Sequence, residues 1–138
     1  MAYTKRIGVR FDDVDFARVV FYPRFFGYTH QTFEDFFADE VKCSYAKMLQ
    51  ERKVGYPSVH ASADFQRPLR FGDTARVVME TLEVGKKSLT CRYRIYQGET
   101  DVLCAELKVV TVAIEMDKFS GRELPDDVKA AFERHRAA

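Results

Sequence analysis

The sequence predicts an α+β fold: one long helix segregated on a curved, mostly antiparallel sheet of about five strands. Three observations carry this prediction. Pro23 to Asp39 is the one long stretch whose aromatics recur at helical spacing, four later segments alternate apolar and polar residues, and the turns joining those segments are too short to hold crossover helices. Neither βαβ alternation nor a GxGxxG or GxxxxGK loop is present, which argues against dinucleotide-binding and P-loop folds. A chain of 138 residues is long enough for one core and short for two, so residues 1–138 read as a single domain.

Tyr3 to Asp12 reads as the first strand, with Ile7, Val9 and Phe11 on one side. Asp12, Asp13 and Asp15 then break the alternation at an acidic turn. Pro23 suits the first turn of a helix, because its missing N–H would be an orphan there anyway. Phe26, His30, Phe33 and Phe37 fall on one helix face, widened by Phe25, Thr29 and Phe36. Gly27 implies either a close backbone neighbour or tolerance in a helix secured by packing.

Val41, Tyr45, Met48 and Leu49 predict a further turn or two of helix between Tyr45 and Arg52, covering the surface. Val59, Ala61, Ala63 and Phe65 form the inner side of a strand opposed by His60, Ser62 and Asp64, and its small residues leave room beside it. Thr74 to Val84 and Lys87 to Tyr96 make the next two strands. Leu89, Cys91, Tyr93 and Ile95 in the latter give the clearest half-buried alternation in the chain. The last strand, Asp101 to about Met116, turns apolar on both faces after Val109, which predicts a second layer or a second subunit there. Leu124 to Phe132 suggests a short C-terminal helix, with His135 on its surface or in a frayed tail.

Composition narrows the partners. Twenty-two basic side chains balance 21 acidic ones, so there is no general pull on nucleic acid, and no run reaches the roughly 20 apolar residues of a membrane span. Cys43, Cys91 and Cys104 are widely spaced without a CxxC pair, and MAYTKRIGVRF is no signal peptide; both point to a cytoplasmic protein without a disulfide framework or zinc site. Twelve Phe and seven Tyr exceed what a small core needs and predict an apolar pocket or an interface.

The residue singled out first is Asp15. It precedes Phe16, Ala17, Val19, Val20 and Phe21, a setting in which a carboxylate would sit in a partly dry crevice with tuned basicity. The ordered string Phe11, Asp13, Asp15, Ala17, Val19, Val20, Tyr22 and Pro23 resembles the signature of the 4-hydroxybenzoyl-CoA thioesterase family, and Gly55 to Phe65 resembles the strand that follows its helix. The resemblance spans about Lys5 to Glu115. It implies the hot-dog fold, a sheet wrapped around the long helix, assembled as a homodimer with interfacial active sites and as a homotetramer. It also implies acyl-CoA hydrolysis without cofactor or metal. By the same resemblance Asp15 acts as nucleophile or general base, and backbone N–H groups near the helix start polarise the carbonyl.

Phe16 and Arg18 stand where many relatives have proline and glycine, so hydroxybenzoyl specificity does not transfer. Tyr22, at the helix start, is assigned with Asp15 to the catalytic residues, positioning the substrate, and Phe16, Phe21 and Phe26 are expected to line the acyl site, favouring an aryl or compact short to medium acyl group. His60 is expected to border the site from the partner's strand. Arg67 and Arg70 are preferred for the coenzyme A phosphates, ahead of Lys86, Lys87, Arg92 and Arg94. His30 reads better as a core or interface residue than as a catalyst. No GxSxG elbow supports a triad from His60, Ser62 and Asp64. The alternatives are a thioesterase for acyl carrier protein and a non-catalytic acyl-CoA-binding protein of the same fold.

Overall fold

In the computed structural model, which describes residues 1–138, eight strands occur in chain order: β1 (Tyr3–Gly8), β2 (Val54–Gly55), β3 (Ser58–Phe65), β4 (Thr74–Val84), β5 (Ser88–Gln97), β6 (Leu103–Val112), β7 (Ile114–Glu115) and β8 (Ser120–Gly121). Five of them form an antiparallel sheet in the order β1-β4-β5-β6-β3, and the other three a small sheet in the order β2-β7-β8. Helix α1 (Pro23–Phe36) lies against the large sheet, and the shorter α2 (Tyr45–Gln50) and α3 (Asp126–Arg134) close its far end. The predicted fold class and the order of the main elements are therefore present.

The core explains why α1 sits where it does. Its buried arc is Phe25, Tyr28, Thr29, Thr32, Phe33 and Phe36. Inward residues of the central strands, among them Val77, Met79, Leu89, Tyr93, Ile95 and Leu107, meet that arc from the sheet side. Phe132 of α3 meets it from the other side, its ring 4.4 Å from Phe36 and 5.8 Å from Phe33. Sheet and α3 together rotate the buried face away from the predicted one: Phe37 and Phe33 are buried, but Phe26 is half-buried and His30 is exposed, paired with Glu34 at 3.0 Å.

Several predicted boundaries change for identifiable reasons. The first strand stops at Gly8 rather than Asp12, because the Asp13 carboxylate accepts the Arg10 N–H at 2.9 Å and winds Phe11–Asp13 into a single 3-10 turn. Phe11 consequently leaves the core. Helix α1 does not end at Asp39 but runs into a π turn, Phe37–Val41, which stops at Lys42 in the left-handed region. The last strand breaks at Ala113: the Val112 N–H donates to Pro57 and the Ala113 N–H to Lys87, so the chain passes from the large sheet to the small one. Of the doubly apolar stretch, Thr111, Ala113 and Ile114 are buried, whereas Val109, Val110 and Val112 stay half-buried in the single chain. A Cβ on Gly27 would meet nothing within 4 Å, so this glycine reflects tolerance and not close approach.

His135 is the clearest correction. Far from lying on a frayed tail, it is buried, with Nδ1 3.0 Å from the Ala131 carbonyl and Nε2 2.9 Å from Glu40 Oε1, packed edge-on against Phe36. Beyond it the Ala137 N–H donates to Thr81, so the tail is laced to β4. A helix ending R-H-R-A-A gives no local sign of Glu40, Phe36 and Thr81, partners more than 50 positions away; only the Ala131 carbonyl is local.

Phe36 is fully buried at the junction of sheet, α1 and α3. Phe36→Ala is expected to lower unfolding free energy by about 3–5 kcal/mol in a urea titration. Phe119→Ala, on an exposed ring, is expected to stay within about 0.5 kcal/mol.

Candidate active site

The three aspartates of the acidic turn have different surroundings. Asp13 is committed to the fold: its Oδ2 accepts the Arg10 N–H and the Tyr28 hydroxyl, each at 2.9 Å, and its carbonyl accepts the Phe21 N–H. Tyr28 is a buried α1 residue whose phenol burial and the Asp13 carboxylate together push up in pKa, so it stays a donor. Asp12 makes no hydrogen bond through its side chain. Asp15 spends one oxygen on the Ala17 N–H at 2.8 Å and leaves the other without a partner.

Asp15 opens a tight hairpin. Its N–H donates to Val19, the Arg18 N–H donates back to its carbonyl at 2.9 Å, and Val14 pairs with Val20. Arg18 closes the hairpin with φ of 69°, a left-handed conformation that disfavours a Cβ, which accounts for glycine being the common residue at this step. Phe16 at the tip is wholly exposed. Within a single chain Asp15 is likewise exposed, so the dry crevice expected around it is not formed by its own neighbours in sequence.

The hairpin is held beside the start of α1. The Val20 N–H donates to Leu69 at 2.8 Å and the Val9 N–H to Asp73, tying the acidic turn to the loop between β3 and β4. That loop repeats the chemistry of the first: the Arg70 N–H donates to Asp73 Oδ2 at 2.9 Å, and Phe71 meets Phe11 edge to face at 5.8 Å. At the helix start Tyr22 already has helical angles, Pro23 carries no N–H, and the Arg24 and Phe25 N–H groups turn back to Phe21 and Tyr22. The Tyr22 N–H is the first donor of α1 and has no acceptor in the chain. Such a donor at the positive end of a helix is suited to developing negative charge.

Two hollows that share no lining residue make up a trough between α1 and β3, and Asp15 lines neither. The outer one, about 260 Å³, is lined by Val20, Tyr22, Phe25, Phe65, Gln66, Arg67 and Pro68. Phe65 stands 6.0 Å from the Tyr22 ring and 5.4 Å from that of Phe25. Farther along, a chamber of about 280 Å³ lies among Phe26, Thr29, His30, Phe33, Tyr56, Ser58, Ala61, Tyr93, Val109 and Thr111. Of the residues expected to bind substrate, Tyr22 and Arg67 meet in the outer part and Phe26 lines the chamber. Phe21 is exposed and packs on Tyr22, while Phe16 and Arg70 project to solvent. His60 shares strand parity with Ser62 and Asp64, which border a hollow with Arg92 and Lys108, so it stands on the sheet face opposite the trough. Phe25, Phe65, Tyr56 and Tyr93 were not singled out from the sequence; Tyr93 was visible there as a phenol on the inward side of a clean alternation.

The arginines divide sharply. Arg6, Arg52, Arg76, Arg92, Arg94, Arg122, Arg134 and Arg136 each bond a carboxylate or carbonyl. Arg10, Arg18, Arg24, Arg67 and Arg70 bond none, and all five flank the acidic turn, the helix start or the loop after β3. Of the other basic residues considered for phosphate, Lys86 is paired with Glu123, Arg92 with Glu80 and Arg94 with Glu106.

Residues 9–132 match the Thioesterase-like superfamily. The chain belongs to that superfamily. This hot-dog thioesterase is 29% identical over 136 residues to a 1,4-dihydroxy-2-naphthoyl-CoA hydrolase from Nostoc punctiforme, covering 99% of this chain and 90% of the relative. The crystal structure of a 1,4-dihydroxy-2-naphthoyl-CoA thioesterase from Synechocystis superposes with a TM-score of 0.87 at 26% identity, covering 96% of each chain. A thioesterase superfamily structure from Jannaschia shares the fold, with a TM-score of 0.90 at 21% identity over 99% of this chain and 94% of the other. The resemblance read from Phe11 to Pro23 therefore holds, and the class of chemistry is thioester hydrolysis.

If Tyr28 holds the acidic turn through Asp13, Tyr28→Phe should cost about 1.5–3 kcal/mol in chemical denaturation. Asp15→Asn should leave stability within about 0.5 kcal/mol, since the Ala17 N–H keeps an acceptor.

Proposed function

We propose that this thioesterase hydrolyses the thioester of an aryl acyl-CoA to the free acid and coenzyme A, and that 1,4-dihydroxy-2-naphthoyl-CoA is the substrate to test first. The observation that carries the reading is a carboxylate oxygen of Asp15 without a partner, held by a hairpin that leads directly into α1, whose start carries the unpartnered Tyr22 N–H. The names of relatives matched along nearly the whole chain support the substrate class.

One carboxylate offers two routes. As general base, Asp15 takes a proton from water while the water oxygen bonds to the thioester carbon; the C–S bond then breaks, and the proton passes to the departing thiolate. As nucleophile, Asp15 itself bonds to that carbon and expels the thiolate, and water then cleaves the mixed anhydride. In both, negative charge develops on the carbonyl oxygen, where the Tyr22 N–H and the helix start oppose it. Neither route calls for a metal or redox cofactor. Arg67 and Arg70, free of internal carboxylates, are assigned to the phosphates of coenzyme A.

The active unit in this reading is a homodimer, and two such dimers form a homotetramer, in the cytoplasm. Strand β3 pairs only with β6, and its eight residues are nearly all exposed, Val59 and Phe65 among them. An open apolar edge of this length is a ready template for a second strand. A second copy at this edge would also supply the cover that Asp15 and Phe16 lack in one chain.

Thiol release from 1,4-dihydroxy-2-naphthoyl-CoA is the decisive assay. Wild-type protein is expected to turn over, and Asp15→Asn to lose roughly 10²- to 10⁴-fold in kcat; near-normal turnover by Asp15→Asn would remove Asp15 from the mechanism. Rapidly quenched single turnover of acyl-labelled substrate separates the routes, because the acyl label becomes bound to Asp15 only through a mixed anhydride. Sedimentation at micromolar concentration is expected to show dimers or tetramers, and replacing Val59 with Lys to shift them towards monomer.

A further inference from the structure

The inner chamber of the trough contains polar groups that a hydrocarbon acyl chain does not need. Its walls are largely aromatic and aliphatic: Phe33, Tyr56, Ala61 and Val109. Thr29, His30 and Ser58 also line it, Thr29 bonded to the Phe26 carbonyl, His30 paired with Glu34 and Ser58 exposed at the rim, and two buried hydroxyls interrupt the inner wall. Tyr93 on β5 is 2% exposed and Thr111 on β6 is 6% exposed, and neither hydroxyl makes a hydrogen bond within the chain. The unpartnered hydroxyl of Tyr56 is sealed from water-sized space, as is that of Thr81 elsewhere in the core. The hydroxyls of Tyr93 and Thr111 are not sealed, and the space they touch is the chamber. Burial drives the Tyr93 phenol well above its ordinary pKa, so it is a neutral donor at any physiological pH. Buried polar groups left open in this way call for a partner, and each is costly to cover with hydrocarbon.

The chamber is placed to receive an acyl group. Phe25 of the outer hollow and Phe26 of the chamber are consecutive on α1, and Phe65 and Ala61 lie two alternation steps apart on the same face of β3, about 13 Å. The two hollows therefore follow one another along α1 and β3, and in this reading a group entering beside Tyr22 extends toward Tyr93. At about 280 Å³ the chamber lies just below the usual range of sites for whole drug-sized ligands, about 300–1,000 Å³, which suits one compact ring system and not a complete acyl-CoA.

We infer that Tyr93, assisted by Thr111, is the specificity-determining donor of this thioesterase, reading oxygen substituents on an aryl group seated in the chamber. The inference rests on the aryl acyl-CoA reading above, and it adds where selectivity resides. A site built to bond a substrate oxygen discriminates strongly against the analogue that lacks it, because its own polar groups are then left unpaired. A plain naphthoyl or fatty acyl group leaves both hydroxyls in that state.

The test compares 1,4-dihydroxy-2-naphthoyl-CoA with 2-naphthoyl-CoA, which share a ring system and differ in oxygens. Wild type should prefer the hydroxylated thioester. Tyr93→Phe keeps the ring and removes the donor; it should lose roughly tenfold or more in kcat/KM on the hydroxylated substrate while holding or gaining on 2-naphthoyl-CoA. Thr111→Val should move the ratio in the same direction by less. Equal loss on both substrates, or no change on either, overturns the inference and leaves the thioesterase reading intact. A changed dimer dissociation constant without a changed substrate ratio also overturns it, since the chamber would then receive a side chain of a second copy. If wild type cleaves neither thioester, calorimetric binding of free 1,4-dihydroxy-2-naphthoate against 2-naphthoate, to wild type and Tyr93→Phe, decides the chamber question separately from the reaction.

Discussion

The aromatic arc of α1 cannot be buried by the sheet alone. Phe36 and Phe33 are enclosed only when Phe132 arrives from α3, and this three-sided packing fixes the axial rotation of the helix. The rest of the site inherits that rotation. It aims Tyr28 at Asp13, so the acidic turn is tethered to the helix core, and it leaves Tyr22, Phe25 and Phe26 along the side facing β3. The hairpin that carries Asp15 is exposed, yet its position is set by a helix with a deeply buried face.

Electrostatics follow the same division. Away from the site, guanidinium groups are absorbed into pairs such as Arg52 with Asp127, where two bonds of 2.7 and 2.9 Å join the ends of α2 and α3 and hold the Asp127 carboxyl below its ordinary range. Around the acidic turn five arginines stay free. With almost balanced total charge, the molecule has no long-range field to attract anions in general, and its uncommitted guanidinium groups are gathered around the acidic turn and the loop after β3.

Legibility in the sequence tracked the range of the interactions involved. Strands β4 and β5 were readable because side-chain alternation is local. The start of α1 was readable from Pro23. The rotation of the helix was not, since Phe26 and Phe25 are equally apolar and only the distant α3 decides between them. The burial of His135 depends on Glu40, and the break at Ala113 on Pro57 and Lys87. In the site, Asp15 could be distinguished from Asp12 and Asp13 by an ordered string of neighbours. The trough could not be drawn, because it lies between elements whose separation no local pattern encodes, and part of its cover belongs to an edge strand that one chain leaves open.

The lacing of the C-terminus to the body of the protein has a consequence during synthesis. Glu40 waits for His135, Phe36 for Phe132 and Thr81 for Ala137, and these partners are made long after α1 and β4. On the ribosome, a nascent chain that already contains the whole of α1 and the large sheet still exposes an aromatic helix face with nothing to close it. Its native core cannot close until α3 has been made, and until then that face is open to non-native contacts.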